Sequence, residues 1–476
     1  MSETDEYYGW HKFKDECGPT FSGSPAWHRY MRFVEQQLKR FGVVDLIRNA
    51  WTYPRWFTSD SPEDRNWTLV SGGKPVRVAA YGPYSGSTGP DGVTAELVYY
   101  DPANPPKSVQ GRIVVFQTCP HPGEPFPPEY RSTLTFTDYE YLFNPETFPP
   151  LFTTVPASRA VYFDTPFQFW QLEPMVKVLV DGKAAGGIVV FDMSFDRLAG
   201  LYPLTVPPLY HVPTLFLDRV AGQKVIEDAR NGKTATLTLL AKVETAKTYQ
   251  LIGYLPGRDY GTAKDEKILL LTHTDGPSIS QEDGALGLLG IVAHNSQIPQ
   301  KDRPRTLMIF LDNRHFMPGM EEAFARQDWF TRHPEAKKSI VGLIAMEHLG
   351  EVEFREEGDA FLPTGQVEPS MLYTRSDPRL IDLAVKAVEE HDWPRVVVKS
   401  VEKVGIHGET QGPWLGLGSL ALKWDLPAFA VLGGMGAYWE TTSRLDRFDK
   451  HLFSKQVKTM AQLTAELMGG NWHSAG

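Results

Sequence analysis

The sequence of 476 residues predicts an α/β protein in which a mostly parallel central sheet is flanked by helices and a β-rich segment is inserted into the chain. From about residue 246 onwards, strands that are apolar throughout alternate with helices, which is typical of a parallel sheet covered on both faces. Before that point, short β-branched runs are separated by Gly and Pro, which indicates a β-rich module. The predicted organisation is an N-terminal arm over 1–22, a main domain over 23–94 and 246–476, and a β-rich insertion over 95–245.

The first regular element that the sequence predicts is an amphipathic helix near residues 25–41. Ser24 is placed to cap its N-terminus, and Pro25 suits its first turn. Apolar side chains recur along it every three or four residues, at Trp27, Tyr30, Met31, Val34 and Leu38.

The β-rich insertion and the main domain differ in their strands. The strand-like runs of the insertion are ELVYY, GRIVVF, GGIVVFD, VPTLFLD and TATLTLLAKVET. A passage rich in Pro, Phe and Tyr over 120–175 is predicted to form loops over a cleft or a dimer contact. In the main domain, helices are predicted between and after the buried strands KILLLTHTD, RTLMIFLDN, SIVGLIAMEHLG and LPAFAVLGG.

Charge and composition argue against several classes of function. The net charge is -10 and the chain has no run rich in Lys and Arg, so we expect no nucleic-acid partner. No stretch approaches about 18 apolar residues, so we expect no membrane-spanning helix. The first residues do not resemble a secretory signal, and the two cysteines, Cys17 and Cys119, cannot build a disulfide framework, which favours a cytoplasmic protein. The absence of a Gly-x-Ser-x-Gly elbow argues against a serine hydrolase.

Polar residues follow the predicted strands of the main domain. Because ligands bind beyond the carboxyl ends of parallel strands, residues at several such ends are expected to converge on one site. The candidates are His273 and Asp275, Glu282 and Asp283, Asp312 to His315, Glu347 and His348, and Tyr438 to Glu440. His348 follows Glu347 directly, so strand alternation predicts that it faces the other side of the sheet and has a structural role.

Several of these segments resemble a known family in order and spacing. GSPAWHRYMRFVEQQLKRFGV resembles the opening helix of the co-catalytic zinc aminopeptidases, a family that includes leucyl aminopeptidases, aminopeptidase Y, glutamate carboxypeptidase and, more distantly, glutaminyl cyclases. VPTLFLDRVAGQKVIEDARNG resembles the end of the protease-associated domain inserted in that family. TYQLIGYLPG is similar to the strand that re-enters the catalytic domain, and THTD with EDGALGLLGIV resembles the first metal motif. The resemblance covers most of residues 22–470.

The resemblance implies a metal site. His273 would be a ligand of the first metal ion, and Asp275 would orient it. Asp283 would bridge two ions, and Glu347 would complete the ligand set of the first ion. Histidine nitrogen with carboxylate oxygen suits zinc, and also manganese or iron, with one or two ions bound.

The sequence departs from the family at the positions of the general base and the second ion. Where the family has a Glu-Glu pair, this chain has Arg314-His315 or, one residue later, His315-Phe316. Glu321-Glu322 lies six residues further on and is interpreted as a solvated helix face. Trp439 replaces the family's last histidine ligand, and Glu440 follows it. An alternative second site would therefore consist of Asp283, His315 and Glu440.

The remaining candidates concern the substrate. His407 and Glu409 lie in VGIHGETQGPW, the loop with which the family lines its substrate pocket. They could supply a metal ligand or the missing base, or the segment could be a polar loop without such a role. Tyr438 and Trp439 are predicted to line the same pocket. Alternation along an extended segment predicts that only one of Arg314 and His315 faces the cavity, where it would stabilise negative charge or move protons.

These observations predict a metal-dependent enzyme that acts on an amide or related bond of a small molecule or short peptide-like substrate. One alternative is a lyase or cyclase reaction on the same frame. Another is a binding or assembly protein without metal or turnover. The sequence leaves a homo-oligomer open.

Overall fold

The computed structural model describes residues 2–59, 66–118, 133–137, 139–148, 160–164, 167–203, 209–404, 409–410, 414–434, 436, 439–470 and 472. The helices within these ranges are α1 Glu3–Cys17, α2 Pro25–Arg40, α3 Leu172–Asp181, α4 Phe195–Leu198, α5 Arg219–Arg230, α6 Gly284–Ser296, α7 Met320–Ala323, α8 Trp329–Arg332, α9 Pro378–Glu390, α10 Leu420–Trp424 and α11 Lys450–Gly469. The strands are β1 Val44–Phe57, β2 Trp67–Ser71, β3 Lys74–Val76, β4 Ala80–Tyr81, β5 Val93–Tyr99, β6 Ile113–Gln117, β7 Thr133–Thr137, β8 Tyr141–Leu142, β9 Ala160–Asp164, β10 Gly186–Val190, β11 Thr214–Leu217, β12 Thr234–Leu239, β13 Lys242–Leu255, β14 Lys267–His273, β15 Thr306–Asp312, β16 Ile340–Glu347, β17 Val352–Glu357, β18 Ala360–Val367, β19 Ser370–Arg375, β20 Val396–Val401, β21 Lys403–Val404, β22 Glu409–Thr410 and β23 Ala428–Gly433.

The main sheet confirms the predicted α/β class. Its order within the described residues is β1-β13-β15-β14-β16-β23-β19-β20-β8. The central strands β15, β14, β16 and β23 are parallel to one another. Toward the edges, β13 pairs antiparallel with β15, and β19 pairs antiparallel with β23. The sheet is therefore parallel at its centre and mixed as a whole.

Both faces of the main sheet are buried, which explains why its strands are apolar throughout. Ile268 and Leu270 of β14 belong to an apolar cluster that includes residues of α1, α2, α6, α9 and α11. Leu269 and Leu271 of the same strand belong to a second cluster, which includes residues of α8, α10 and a second sheet. Because successive side chains of a strand point to opposite faces, each strand contributes residues to both apolar cores.

The second sheet has the order β3-β2-β12-β5-β6-β10-β11-β4 within the described residues. Its strands begin at Trp67, so the β-rich segment starts earlier than the predicted residue 95. The segment also contributes β8 to the edge of the main sheet, where Leu142 pairs with Val397, so the predicted separation of the two sheets is incomplete. The assignment of this segment as a protease-associated domain stays a prediction.

The predicted N-terminal arm is instead a helix. The Ser2 side chain accepts a hydrogen bond from Asp5 N and caps α1. The buried positions of α1 are Tyr7, Trp10, His11 and Lys14, which have the spacing of one helix face. Two of the four are polar, so the hydrophobic pattern did not reveal the helix.

Helices α2 and α6 pack on the face of the main sheet that carries Ile268 and Leu270. The predicted helix α2 is confirmed: the Ser24 side chain accepts a hydrogen bond from Trp27 N, and the predicted apolar residues are buried. Helix α6 starts at Gly284, where a side chain would collide with the Met346 carbonyl and Thr272. This glycine lets α6 begin directly against the strand ends. Among the described residues, no helix has the length and apolarity needed to span a bilayer.

Candidate metal centre

The site lies at the carboxyl ends of the parallel strands, as the sequence predicts. Strand β14 ends at His273, its neighbour β15 ends at Asp312 in register with it, and β16 ends at Glu347 on the other side. Parallel strands present these ends at one edge of the sheet. All three side chains are buried.

His273, Glu347 and His348 form a compact group of potential metal ligands. One ligand atom from each lies within 4.8 Å of the others. His273 Nε2 is 3.3 Å from Glu347 Oε2. Among the described residues, Nδ1 of His273 has no hydrogen-bonding partner, and Nε2 has only the Glu347 carboxylate beside it, although the side chain is buried. A buried imidazole without such a partner is costly, which favours an additional ligand at this point.

The donor set and its spacing fit a metal ion. Two ligand atoms on a tetrahedral ion with bonds of about 2.0–2.1 Å lie about 3.3–3.4 Å apart, and the distance between His273 Nε2 and Glu347 Oε2 is 3.3 Å. Imidazole nitrogen and carboxylate oxygen together suit zinc, manganese and iron. The residues present therefore fit a zinc-type ion.

His348 corrects an expectation from strand alternation. Its backbone φ is 57°, in the left-handed region, so the extended conformation ends at Glu347. The turn places a ring nitrogen of His348 within 4.8 Å of ligand atoms of Glu347 and His273. The sequence signal for this residue was the Glu-His pair itself at a strand end.

Glu347 is held from a second direction by the segment before α10. Its Oε1 accepts a hydrogen bond of 2.6 Å from Leu417 N. Gly416 has a φ of 76°, and a side chain there would collide with the Glu347 carboxylate. The glycine thus allows the backbone to approach and fix the carboxylate.

Asp275 has a different role from the predicted one. Its carboxylate accepts backbone hydrogen bonds from His315 N at 3.3 Å and Phe316 N at 2.7 Å, and not from the His273 ring. Asp275 lies two residues beyond the end of β14. Burial raises the pKa of Asp275 to about 7. Asp275 therefore holds the turn that carries His315.

His315 faces the candidate metal centre. Its ring centroid is 4.1 Å from that of His273. Burial lowers the pKa of His315 well below its ordinary value, with the charge of His273 acting in the same direction. A neutral imidazole beside the metal site can accept or pass on a proton. Among the described residues, however, His315 does not belong to the group of potential ligands.

The Arg314 guanidinium is occupied by carboxylates. It forms a forked pair with Asp312, with 2.9 Å from Nε to Oδ1 and 2.5 Å from Nη2 to Oδ2. Its Nη2 also lies 3.3 Å from Asp328 Oδ1. Strand β15 ends at Asp312, so the alternation argument does not apply, and both Arg314 and His315 line the same cavity. The predicted role of Arg314 in charge stabilisation gives way to one of positioning.

Glu321 corrects the interpretation of the Glu-Glu pair as a solvated face. It is the second residue of the short helix α7, which folds back over the strand ends. Its Oε1 lies 3.8 Å from His315 Nδ1, and its side chain is 30% exposed. Burial and the nearby Asp312 raise the pKa of the Glu321 carboxyl. Glu322 beside it is exposed.

The strand ends open into a cavity of about 530 Å³. Its polar part includes His315, Glu321 and Glu347. Its apolar wall includes Phe310, Met320, Phe330, Leu417, Leu420 and Trp424. Lys337 also lines the cavity, with its Nζ 4.8 Å from the centre of the Trp424 ring. Ligand cavities commonly have this volume and this mixture of apolar surface with a few polar groups.

Asp283 is not available where the resemblance places a bridging ligand. Its Oδ2 lies 2.9 Å from His11 Nε2, and its Oδ1 accepts a hydrogen bond of 3.1 Å from Leu349 N. Burial raises the pKa of Asp283 well above its ordinary value and lowers that of His11 to about 3. Local sequence patterns do not predict this partner, because His11 lies 272 residues away from Asp283.

Glu440 also lies apart from the candidate ligands. It is buried, and the nearest cation that the structure shows is Arg447, with Nη2 3.9 Å from its Oε2. Burial raises the pKa of Glu440 to about 8. Among the described residues, Asp283, His315 and Glu440 do not form a group of ligand atoms within 4.8 Å of one another, so the alternative second site stays a prediction.

Trp439 packs behind the site. Its ring lies 4.8 Å from Phe169, 5.8 Å from Phe316 and 6.3 Å from His315, measured between centroids. It therefore supports the turn that carries His315. His407 and Tyr438 lie outside the described residues, and of Glu409 only the backbone is described, in β22; their predicted roles stay predictions.

Comparison with known proteins gives matches at the level of structure. No family model matches the sequence, and no curated protein sequence matches it. A peptidase M28 precursor from Shewanella amazonensis SB2B aligns with a TM-score of 0.62 and 12% identity over 98% of this chain and 96% of its own. A zinc aminopeptidase from Bacillus subtilis aligns with a TM-score of 0.59 and 12% identity over 97% of this chain and 95% of its own. An aminopeptidase from Aneurinibacillus sp. strain AM-1 aligns with a TM-score of 0.57 and 15% identity over 98% of this chain and 93% of its own. The chain therefore has the fold of the zinc aminopeptidases, as the sequence resemblance predicts.

Proposed function

We propose that the protein is a metal-dependent hydrolase that cleaves an amide or related bond in a small molecule or short peptide-like substrate. His273, Glu347 and His348 would hold the ion, with zinc as the first candidate and manganese or iron as alternatives. The fold supports this proposal but does not fix the reaction, because one fold can support many activities.

The observation that carries the proposal is the buried His273 ring. Among the described residues its Nδ1 has no hydrogen-bonding partner, and its Nε2 lies beside the Glu347 carboxylate, with His348 close by. Glu347 lines the cavity directly. Three convergent ligand atoms next to open space are the arrangement of a catalytic metal site, where a position remains for water or substrate.

The ion would supply Lewis acidity, polarising a carbonyl oxygen and lowering the pKa of a bound water. The protein would supply fixed ligands. Leu417 N holds one oxygen of Glu347, so the other oxygen keeps its direction toward His273. Residues that fix a ligand in this way typically change metal affinity about 10–100-fold when they are altered.

His315 and Glu321 would move the protons. The neutral His315 ring lies next to His273, and Glu321 lies 3.8 Å from its Nδ1. A proton removed from the attacking water could pass to His315, with Glu321 stabilising the imidazolium that forms, and then return to the leaving amine. This pair would replace the missing Glu-Glu pair, since both side chains line the cavity.

The cavity favours a substrate of limited size with an apolar portion. Its volume is about 530 Å³, and Phe310, Phe330 and Trp424 lie on its wall. Lys337, stacked on Trp424, would place a positive charge near a substrate carboxylate. A small molecule or a peptide of a few residues fits this description.

Elemental analysis combined with an amide-cleavage assay tests the proposal. Purified protein supplied with zinc or manganese should retain at least one ion per chain and release amine from a panel of aminoacyl anilides and small amides. His273→Ala and His348→Ala should each lower both metal content and turnover. His294→Ala is the matched control, because this histidine lies exposed on α6 and has no such neighbours.

Metal content that is unchanged in His273→Ala and His348→Ala would contradict the proposed ligands. Protein that retains no ion under any loading condition would contradict the hydrolase and favour a binding or assembly role. Bound metal with no amine release, but with another conversion of the same substrates, would favour the lyase or cyclase alternative.

A further inference from the structure

A buried polar pair joins the N-terminal helix to the start of α6. His11 and Asp283 are both fully buried, and His11 Nε2 lies 2.9 Å from Asp283 Oδ2. The His11 ring stacks on Phe448, with 3.6 Å between centroids, and meets the edge of Phe453 at 4.5 Å. The pair is therefore packed against aromatic side chains, and the charge of the buried Lys14 acts on both of its members.

The hydrogen bonds of this pair require one proton between the two side chains. His11 Nδ1 lies 2.9 Å from the carbonyl oxygen of Tyr7, which can only accept, so Nδ1 carries a hydrogen. Asp283 Oδ1 already accepts from Leu349 N. The contact of 2.9 Å between Nε2 and Oδ2 then needs a hydrogen on one of the two atoms, since two acceptors would repel.

We propose that Asp283 and His11 share this proton in a structural pair that fastens α1 to the catalytic sheet, and that the chain consequently binds one metal ion and not two. Oδ2 of Asp283 is directed to His11 and Oδ1 to Leu349 N, and among the described residues Asp283 lies outside the group of ligand atoms around His273. The resemblance implies a two-ion centre at this point, and the residues present do not fit it.

The rest of the site agrees with a single ion. Among the described residues, His273, Glu347 and His348 are the one group of at least three His, Cys, Asp or Glu side chains with ligand atoms within 4.8 Å of one another. Asp283, His315 and Glu440 do not belong to it. The inference rests on the proposed function for this ion and adds that no second ion accompanies it.

Asp283→Asn tests the inference, because asparagine can replace each contact. Its side-chain oxygen can accept from Leu349 N, and its NH₂ group can donate to His11 Nε2, as a protonated carboxyl group would. Elemental analysis of protein loaded with zinc should give one ion per chain in the wild type and in Asp283→Asn. His273→Ala should lose it. If Asp283 were a ligand, the asparagine variant would lose metal as well.

Thermal unfolding separates the structural role from the metal. Asp283→Asn should melt within about a degree of the wild type, because the buried hydrogen bonds are kept. Asp283→Ala and His11→Ala should both melt several degrees lower while keeping one ion per chain, since each leaves a buried polar group without a partner. Their combination should cost less than the sum of the two shifts, because they remove the same contact.

Two ions per wild-type chain, or loss of the ion from Asp283→Asn, would overturn the inference while leaving the proposed function intact. No ion in the wild type would overturn both. An Asp283→Asn variant that keeps its ion but melts as low as Asp283→Ala would contradict the shared-proton pair.

Discussion

At the scale of single residues, the candidate site depends on where the backbone turns. His273 and Glu347 could be predicted, because each ends an apolar strand. His348 and Glu321 could not. The left-handed conformation at His348 breaks strand alternation, and the chain between Asp312 and α7 folds Glu321 back over the sheet. His11 was hidden because its contact with Asp283 spans 272 residues of sequence.

Glu321→Gln tests the proposed route for protons. The substitution keeps the size of the side chain but removes its ability to bind and release a proton, so we expect kcat to fall about 10²–10⁴-fold with metal content unchanged. Steady-state kinetics and elemental analysis give both numbers. Glu322→Gln is the control, because Glu322 is the next residue along the chain and its side chain is exposed. Equal kinetics for the wild type and Glu321→Gln would remove Glu321 from the mechanism.

Glu440 predicts a pH dependence of stability. Its pKa in the folded protein is about 8, against 4.5 for an unperturbed glutamate, so the folded state binds more protons between these values. Stability should therefore decrease as the pH rises through this window. Glu440→Gln should reduce the decrease, by an amount on the order of a few kcal/mol.

Melting temperatures at about pH 5 and about pH 9 measure this effect. Glu357→Gln serves as the control, because this glutamate is exposed on the main-domain hairpin β17-β18. An identical pH profile for the wild type and Glu440→Gln would show that Glu440 does not titrate between the two states.

At the scale of elements, three segments hold the site. The two strands β14 and β16, which end at the candidate ligands, form the first; the turn at His315, fixed by Asp275, is the second; and the segment before α10, which fixes Glu347, is the third. The strands and α2 could be predicted from hydrophobic period alone. Helix α1 could not, because His11 and Lys14 lie on its buried face. The early start of the second sheet was missed because β2 to β4 are short.

Gly416→Ala tests the role of the segment before α10. The residue has a φ of 76° and no room for a side chain beside Glu347, so alanine should shift Leu417 N away from the carboxylate and weaken metal binding. Gly358→Ala is the matched control. It also has a positive φ, 63°, but nothing lies within 4 Å, so alanine there should cost backbone energy of about 1–2 kcal/mol and leave the metal affinity unchanged.

Metal titration of both variants measures the loss of metal affinity, and thermal unfolding in parallel measures the loss of stability caused by the backbone. A loss of metal affinity in Gly416→Ala beyond that in Gly358→Ala would support the role of the Leu417 backbone in holding the Glu347 carboxylate. Equal affinities would mean that the contact between Leu417 and Glu347 does not position the ligand.

At the scale of the whole molecule, the fold was more predictable than the chemistry. The order of apolar strands and helices indicated the α/β class, and the resemblance indicated the zinc aminopeptidase fold that the solved structures share. The site depends on contacts between segments that are remote in sequence, such as His11 with Asp283 and Leu417 with Glu347. Such contacts follow from tertiary packing and leave little trace in local sequence.

Anomalous diffraction from crystals grown with zinc tests the central claim most directly. Data collected on both sides of the zinc absorption edge should give one peak per chain, within about 2.0–2.3 Å of ligand atoms of His273, Glu347 and His348. The Asp283 carboxylate should remain bonded to His11 in the same crystals. A peak bound by Asp283 together with His315 or Glu440, or no peak beside His273, would contradict the account.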